Sequence, residues 1–172
     1  MAIVLIASTA SAQTPDANPY TTAIRSQQQR IASFVLRAAE KVPEDLYSFR
    51  PTPDVRTFAE IVGHIVDAHY LLCRAAGENT FEIKREYELK PGTKANLIEA
   101  LKKSYDYCNK VFDATTDANG TTPIKTGGTP QMKLMVLNLN VSHTWEHYGN
   151  LVTYMRLKGI VPPSSEGAPP KK

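Results

Sequence analysis

Residues 131–158 read QMKLMVLNLNVSHTWEHYGNLVTYMRLK, a run with no proline and one glycine in which apolar residues recur at helical spacing. Thr129 followed by Pro130 is a typical N-cap and first helical residue, and Gly159 follows the run as a typical helix stop. These features predict one long helix that begins near Pro130 and ends near Lys158.

A pair of histidines, His143 and His147, lies in the middle of this predicted helix. Side chains four residues apart lie on one face of a helix, where two imidazole nitrogens can bind one divalent metal ion. Helical geometry places three further polar side chains in the same arc, where they could orient the ligands or a bound water molecule. These candidates are Asn140, Asn150 and Tyr154.

The five residues from His143 to His147 also match His-x-x-Glu-His, the pattern of inverted-zincin peptidases. In that interpretation Glu146 activates a water molecule, and beside any metal at this site Glu146 is the candidate catalytic base. Such peptidases take another carboxylate ligand from a more distant downstream helix. The only acidic residue after His147 is Glu166, in a tail rich in proline and serine. A peptidase is therefore the minor alternative.

A third metal ligand must come from another helix, and the remaining histidines, His64 and His69, both lie on the second predicted helix. Residues five apart on a helix point about 140° from each other, so only one of the two can join the site. The helical pattern places His69 inside the apolar arc and His64 at its edge. Burial alone would favour His69, but a catalytic metal keeps an open coordination position, which favours His64.

Four helical segments separated by proline, glycine and polar linkers account for most of the chain. Thr57 and Glu60 form a capping-box pattern at the start of the second segment. There is no strand pattern and the linkers are short, which predicts an all-α fold, an antiparallel four-helix bundle. No structure is assigned to residues 81–90, and residues 117–128 are predicted to be a polar loop. The predicted helices span about residues 19–42, 57–76, 93–116 and 130–158.

The length of 172 residues fits one domain, expected at residues 19–163 and followed by a disordered tail at residues 164–172. The net charge of +3 is small and the basic residues are scattered, so a nucleic-acid partner is not expected. Residues 1–12 form a short apolar run that ends in Ala-Ser-Ala, a typical signal-cleavage pattern. We therefore expect residues 1–18 to be an incomplete signal peptide and flexible N-terminus of a periplasmic or secreted protein with no membrane association after cleavage. Without that signal the protein would be cytoplasmic.

The two cysteines, Cys73 and Cys108, fall on different predicted helices. In an exported protein they could pair, whereas buried free thiols are the commoner state of cysteines in helical cores. The sequence leaves their redox state open.

Several motifs together resemble the DinB family of metal-dependent four-helix-bundle proteins. His64 stands in a Gly-His-Ile-Val context, and the pair at positions 143 and 147 is followed by Tyr-Gly-Asn. Residues 154–164 read YMRLKGIVPPS, and residues 46–53 read LYSFRPTP. The resemblance covers residues 20–164.

This resemblance implies a three-histidine site, His64, His143 and His147, that binds a divalent metal ion, zinc or nickel, with water completing the coordination. Relatives include thiol-dependent transferases and isomerases, in which the metal lowers the pKa of a small thiol, and homodimers are common. The resemblance thus implies a metal-dependent hydrolase or thiol-dependent transferase acting on a small-molecule substrate. The alternative is a non-enzymatic module that binds a metal or small ligand, or a stress-related protein.

Overall fold

The chain folds into a bundle of long helices, as a computed structural model of residues 15–125 and 128–167 shows. The prediction of an all-α four-helix bundle is confirmed. Of the expected signal peptide and flexible N-terminus at residues 1–18, residues 1–14 lie outside the described residues. The long helices are α1 (Pro19–Lys41), α2 (Phe58–Ala76), α4 (Lys94–Asp113) and α6 (Lys133–Leu157).

Shorter elements connect the long helices. Two residue pairs form an antiparallel ladder in which Pro123 faces Met132 and Ile124 faces Gln131. No helix in the described part of the chain is both long and apolar enough to cross a membrane. The short elements are α3 (Glu86–Leu89), α5 (Asp117–Gly120), β1 (Pro123–Ile124), β2 (Gln131–Met132) and 3-10 turns at Glu44–Ser48 and Pro163–Ser165.

The core lies between the four long helices, with α2 packed against both α4 and α6 and α1 packed against the same two helices. Each long helix contributes side chains with almost no exposure, because its apolar residues recur every three or four positions. Burial of each such side chain contributes about 1.5 to 3 kcal/mol. Examples are Val35 on α1, Ile65 on α2, Leu101 on α4 and Leu151 on α6.

Helix α2 begins where the capping pattern predicts. The hydroxyl of Thr57 accepts a hydrogen bond from the Glu60 backbone N–H at 3.2 Å, and the Glu60 carboxylate accepts one from the Thr57 N–H at 2.6 Å. The two residues thereby satisfy backbone donors that the first helical turn leaves free, which stabilises the helix by about 1 kcal/mol.

The predicted start of α6 is wrong. The helix begins at Lys133, three residues after Pro130, with Met132 as its N-cap. Gln131 and Met132 are held in an extended conformation by their pairing with β1, and the Lys133 N–H donates to the Thr122 carbonyl. Extended backbone cannot belong to a helix, so a tertiary contact overrides the local N-cap signal. The predicted polar loop at residues 117–128 accordingly contains α5 and β1.

A disulfide between Cys73 and Cys108 joins α2 to α4. This bridge settles the redox state that the sequence leaves open, and both cysteines are fully buried in the core. The bridge spans 35 residues, and closing a loop of that length stabilises the folded state by roughly 3 to 4 kcal/mol.

The C-terminal segment up to Gly167 packs against the bundle, in contrast to the disordered tail expected from residue 164. The Ser164 N–H donates to the Tyr148 hydroxyl at 3.0 Å. The Glu166 carboxylate forms ion pairs with Arg37 and Lys41 on α1. Tertiary contacts therefore order residues whose composition alone indicates disorder, while residues 168–172 lie outside the described part.

Candidate metal centre

Three histidines converge between α2 and α6. The Nε2 atom of His143 lies 3.1 Å from Nε2 of His64 and 3.0 Å from Nε2 of His147. One ligand atom from each ring lies within 4.8 Å of the other two, which is close enough for all three to bind one metal ion. The cluster is mostly shielded from solvent, with His147 only 5% exposed.

The spacing of the ring nitrogens and the charge state of the rings both fit a metal ion. A zinc–nitrogen bond is about 2.0 to 2.1 Å long, so two nitrogens on one ion lie about 3 to 3.4 Å apart, which matches the observed spacing. Burial, and then the neighbouring imidazoles, lower the pKa of His143 and bring the pKa of His147 to about 4. Both rings are therefore neutral near pH 7, which is the state that binds metals.

A carboxylate orients one of the three rings. His64 Nδ1 lies 2.6 Å from Oε2 of Glu88, and an ionised carboxylate can only accept, so Nδ1 carries the proton. The Nε2 lone pair of His64 is thereby directed into the cluster. The Nδ1 atoms of His143 and His147 are buried without a hydrogen-bond partner among the described residues. Among the described residues, His64 is therefore the one ring of the three whose Nδ1 has a hydrogen-bond partner, and that partner is Glu88.

Glu88 is itself fixed by two further residues. Arg56 Nε donates to Glu88 Oε1 at 2.7 Å, and the Tyr154 hydroxyl donates to the Arg56 carbonyl at 2.7 Å. Burial raises the pKa of Glu88, but the hydrogen bonds from His64 and Arg56 outweigh it and hold the pKa below its ordinary value. Glu88 is therefore ionised near neutral pH.

The segment that carries Glu88 lies directly on α2. Backbone N–H groups of Tyr87 and Glu88 donate to the Asp67 carboxylate, at 3.4 Å and 2.9 Å. Gly63 lies one turn before Asp67, and a Cβ at Gly63 would clash with the Tyr87 carbonyl and lie 2.9 Å from the Glu88 nitrogen. The absence of that Cβ lets α3 approach α2 closely, which brings Glu88 to His64.

The sequence did not identify Glu88 or Arg56 as site residues. Glu88 lies in residues 81–90, for which the sequence predicts no regular structure. Arg56 lies in the linker before the second predicted helix. The available signal was a glycine at position 63 inside a strong helical pattern, since such a glycine often marks a close backbone approach.

Of the other predicted site residues, Tyr154 reaches the centre indirectly through Arg56. The amide of Asn140 is fully buried and contacts Gln28 at 3.4 Å rather than an imidazole of the cluster, so it does not orient the ligands. Asn150 is exposed and lines a cleft beside His147. Glu146 is exposed, and its charge offsets only part of the lowering of the His143 pKa that burial and His64 cause. A role for Glu146 as catalytic base remains a prediction.

His69, the alternative third ligand, lies away from the cluster. Its ring is fully buried, with Nδ1 3.0 Å from the Ser104 hydroxyl and Nε2 3.1 Å from the Thr144 hydroxyl. Both ring nitrogens are therefore hydrogen-bonded to hydroxyl groups on other helices. Burial, with a smaller contribution from His143, lowers the pKa of His69 to about 3, so the ring is a neutral part of the core.

The buried His69 predicts a loss of stability in mild acid. Its pKa is lower in the folded protein than in the unfolded chain, so its contribution is fully present above pH 6.5 and is lost as the pH falls toward 3. Between pH 6.5 and 5 we expect the wild type to lose about 1.5 kcal/mol more than His69→Gln, which cannot titrate at this position. Urea unfolding at a series of pH values measures the difference, and parallel curves for the two proteins would contradict it.

Removal of the Glu88 carboxylate is expected to weaken metal binding. We expect Glu88→Ala to lower the affinity for zinc or nickel by about 10- to 100-fold, because the His64 ring loses its orienting partner. Glu86→Ala changes the same charge on the same short helix, where Glu86 is exposed, and should leave the affinity unchanged. Competition with a chromogenic chelator measures both affinities. Equal affinities in the two variants would exclude a role for Glu88.

Two clefts reach the cluster from different sides. One has a volume of about 670 Å³ and a rim that includes Arg56, Glu88, His147 and Asn150. The other, about 240 Å³, is lined by His64 and His143 together with leucines of α2 and α6. A larger groove of about 980 Å³ lies beside the β-hairpin and contains none of these histidines. Small molecules can therefore approach the candidate metal position from two directions.

The fold and the cluster define a four-helix-bundle protein with a possible three-histidine metal site. The chain belongs to the DinB superfamily, whose family model matches residues 27–151. No curated protein is significantly similar to its sequence.

Solved structures share the fold. A DinB-like protein from Bacillus cereus ATCC 10987 is 18% identical, with a TM-score of 0.71 over 83% of this chain and 95% of that one. A DinB-like protein from Bacillus subtilis is 22% identical, with a TM-score of 0.64 over 80% and 92%. A mutant of mycothiol-dependent maleylpyruvate isomerase is 13% identical, with a TM-score of 0.64 over 76% and 60%. At these identities the likeness concerns the fold alone.

Proposed function

We propose that the protein binds one divalent metal ion through His64, His143 and His147 and uses it to transform a small-molecule substrate. The observation that carries this proposal is the convergence of three Nε2 atoms, at 3.0 and 3.1 Å from the central one, on the side of His64 opposite Glu88. Neutral imidazole ligands suit zinc and nickel. A bound ion of this kind supplies Lewis-acid activation of water or of a thiol.

The proposed reaction class is that of a metal-dependent hydrolase or a thiol-dependent transferase. Three protein ligands leave room for a further ligand, as in catalytic rather than structural metal sites. The clefts on either side of the cluster give a substrate access to that position. Similarity in fold to the mycothiol-dependent isomerase supports the transferase alternative. A downstream carboxylate ligand, which a peptidase of the inverted type needs, is not supplied by Glu166, which pairs with α1 instead.

A non-enzymatic binding module is the second candidate, because the Glu146 side chain is exposed to solvent and forms no hydrogen bond with any other described residue. In that case the cluster would bind a metal ion without a catalytic base beside it. Measuring the metal content and its effect on folding separates these functions.

Elemental analysis of protein purified without a histidine tag tests the metal proposal. We expect about one zinc or nickel ion per chain, in line with a three-ligand site. Chelation should lower the Tm only modestly for a catalytic ion, since the disulfide and core remain, whereas unfolding on chelation would indicate a structural ion. Protein that binds neither metal at micromolar concentrations would exclude the proposed function.

We also propose that the protein is exported to an oxidising compartment. The apolar run at residues 1–12 and the disulfide between Cys73 and Cys108 support this proposal. Cell fractionation with mass analysis of the mature N-terminus tests it, and an uncleaved protein in the cytoplasm would contradict it. A homodimer remains a prediction, which sedimentation analysis can test.

A further inference from the structure

We propose that the smaller cleft beside His64 and His143 binds a small organic anion, with its carboxylate on Arg85 and its aliphatic part against the leucines of α2 and α6. This inference names the substrate class of the metal centre proposed above and rests on it. The cleft contacts two of the three proposed ligands, so a molecule bound in it would lie next to the metal position.

The walls of this cleft are apolar. Ala68, Leu71 and Leu72 line it from α2, and Leu139 lines it from α6. Leu71 and Leu139 are 39% and 47% exposed, so hydrocarbon surface remains in contact with water beside the cluster. The volume of about 240 Å³ corresponds to roughly eight water molecules, which suits a short aliphatic chain rather than a large ligand.

Arg85 is the cationic side chain available in this cleft. Its guanidinium forms no hydrogen bond or ion pair with any residue in the ranges 15–125 and 128–167, and it interacts with the Asp67 carboxylate through longer-range attraction. Arg56, the other arginine close to the cluster, is already bound to the Glu88 carboxylate. A guanidinium group that no carboxylate contacts directly, beside an apolar cleft, is suited to bind the carboxylate of a ligand.

The acidic group in the cleft does not favour a cationic ligand. Asp67 is 3% exposed, and its carboxylate accepts hydrogen bonds from the backbone N–H groups of Tyr87 and Glu88. Its oxygens are therefore engaged within the protein. Besides Asp67, whose charge Arg85 partly balances, the charges that face the cleft are the Arg85 guanidinium and the proposed metal ion, and both attract anions.

The backbone at Arg85 supports a role for its side chain. Its φ angle is 47°, a left-handed conformation that glycine and asparagine adopt at lower cost than arginine. Arg85 directly precedes α3, but its side chain makes no capping hydrogen bond there. Local backbone structure thus does not explain an arginine at this position, whereas binding of a ligand carboxylate would explain it.

Titration calorimetry with hexanoate as the probe tests this inference on the full chain loaded with zinc. We expect Arg85→Gln to weaken hexanoate binding at least about tenfold, because a charged hydrogen bond is lost. Lys84→Gln makes the same change of charge at the adjacent exposed residue, which does not line the cleft, and should bind hexanoate like the wild type. The neutral probe 1-hexanol should bind both variants equally.

A second variant tests the apolar wall. Leu139→Ser should weaken hexanoate binding but not acetate binding, since only the longer anion reaches the leucines. The zinc content of each variant is measured in parallel. Protein without zinc would mean that the metal centre itself is wrong. Zinc-loaded protein that fails to bind hexanoate, or binds it equally well in Arg85→Gln and the wild type, would overturn this inference alone.

Discussion

Replacement of His64 by alanine is expected to lower the affinity for zinc or nickel by at least about 100-fold. Loss of a metal ligand should weaken binding at least as much as loss of a residue that hydrogen-bonds to a ligand. Replacement of His69 by alanine is expected to leave the affinity within about twofold, since sites without shared partners act nearly independently. The physical reason is position. His64 Nε2 faces the other two imidazoles, whereas both nitrogens of His69 contact hydroxyl groups in the core.

The stability of the two variants should change in the opposite order. In metal-free protein His69→Ala leaves a cavity in the core and should cost about 2 to 4 kcal/mol. His64→Ala loses a partly exposed side chain and one hydrogen bond, so it should cost about 1 kcal/mol. Competitive chelator titration measures the affinities and urea unfolding measures the stabilities. Metal loss in His69→Ala under conditions where it remains folded would contradict the assignment of the third ligand.

The sequence predicts those parts of the fold and site that depend on local geometry. The capping pair Thr57 and Glu60 lies within one turn of helix, so its two hydrogen bonds follow from spacing alone. The spacing of His143 and His147 likewise brings their Nε2 atoms together on α6. The residues alone left the choice between His64 and His69 nearly even, and the family resemblance implied His64, which the structure brings to the pair.

Features that depend on contacts between distant residues could not be predicted from local sequence patterns. The start of α6 is set by pairing with β1, which overrides a good local N-cap signal. The Cys73–Cys108 bridge depends on how α2 and α4 face each other. Glu88 reaches His64 only because α3 lies across α2. The spacing of apolar residues in a sequence does not predict where a short segment crosses a helix bundle.

The close approach of α3 to α2 gives the second large prediction, for Gly63→Ala. The added Cβ would meet the Tyr87 carbonyl and the Glu88 nitrogen, which are backbone atoms and cannot move aside alone. We expect a loss of about 3 kcal/mol in the free energy of unfolding, at the upper end for overpacking. Displacement of α3 should also withdraw Glu88 from His64 and lower metal affinity by about 10- to 100-fold. Urea unfolding and chelator competition measure the two effects.

A matched glycine on α6 provides the control. An added Cβ at Gly149 meets no atom within 4 Å, so Gly149→Ala should stabilise the protein by about 0.5 to 1 kcal/mol through helix propensity. Metal affinity should not change. Hydrogen exchange gives an independent measure, because the amides of Tyr87 and Glu88 that bond to Asp67 should exchange faster in Gly63→Ala only. If Gly63→Ala instead matched Gly149→Ala in stability and affinity, α3 would not lie against α2, and Glu88 would have no means of orienting His64.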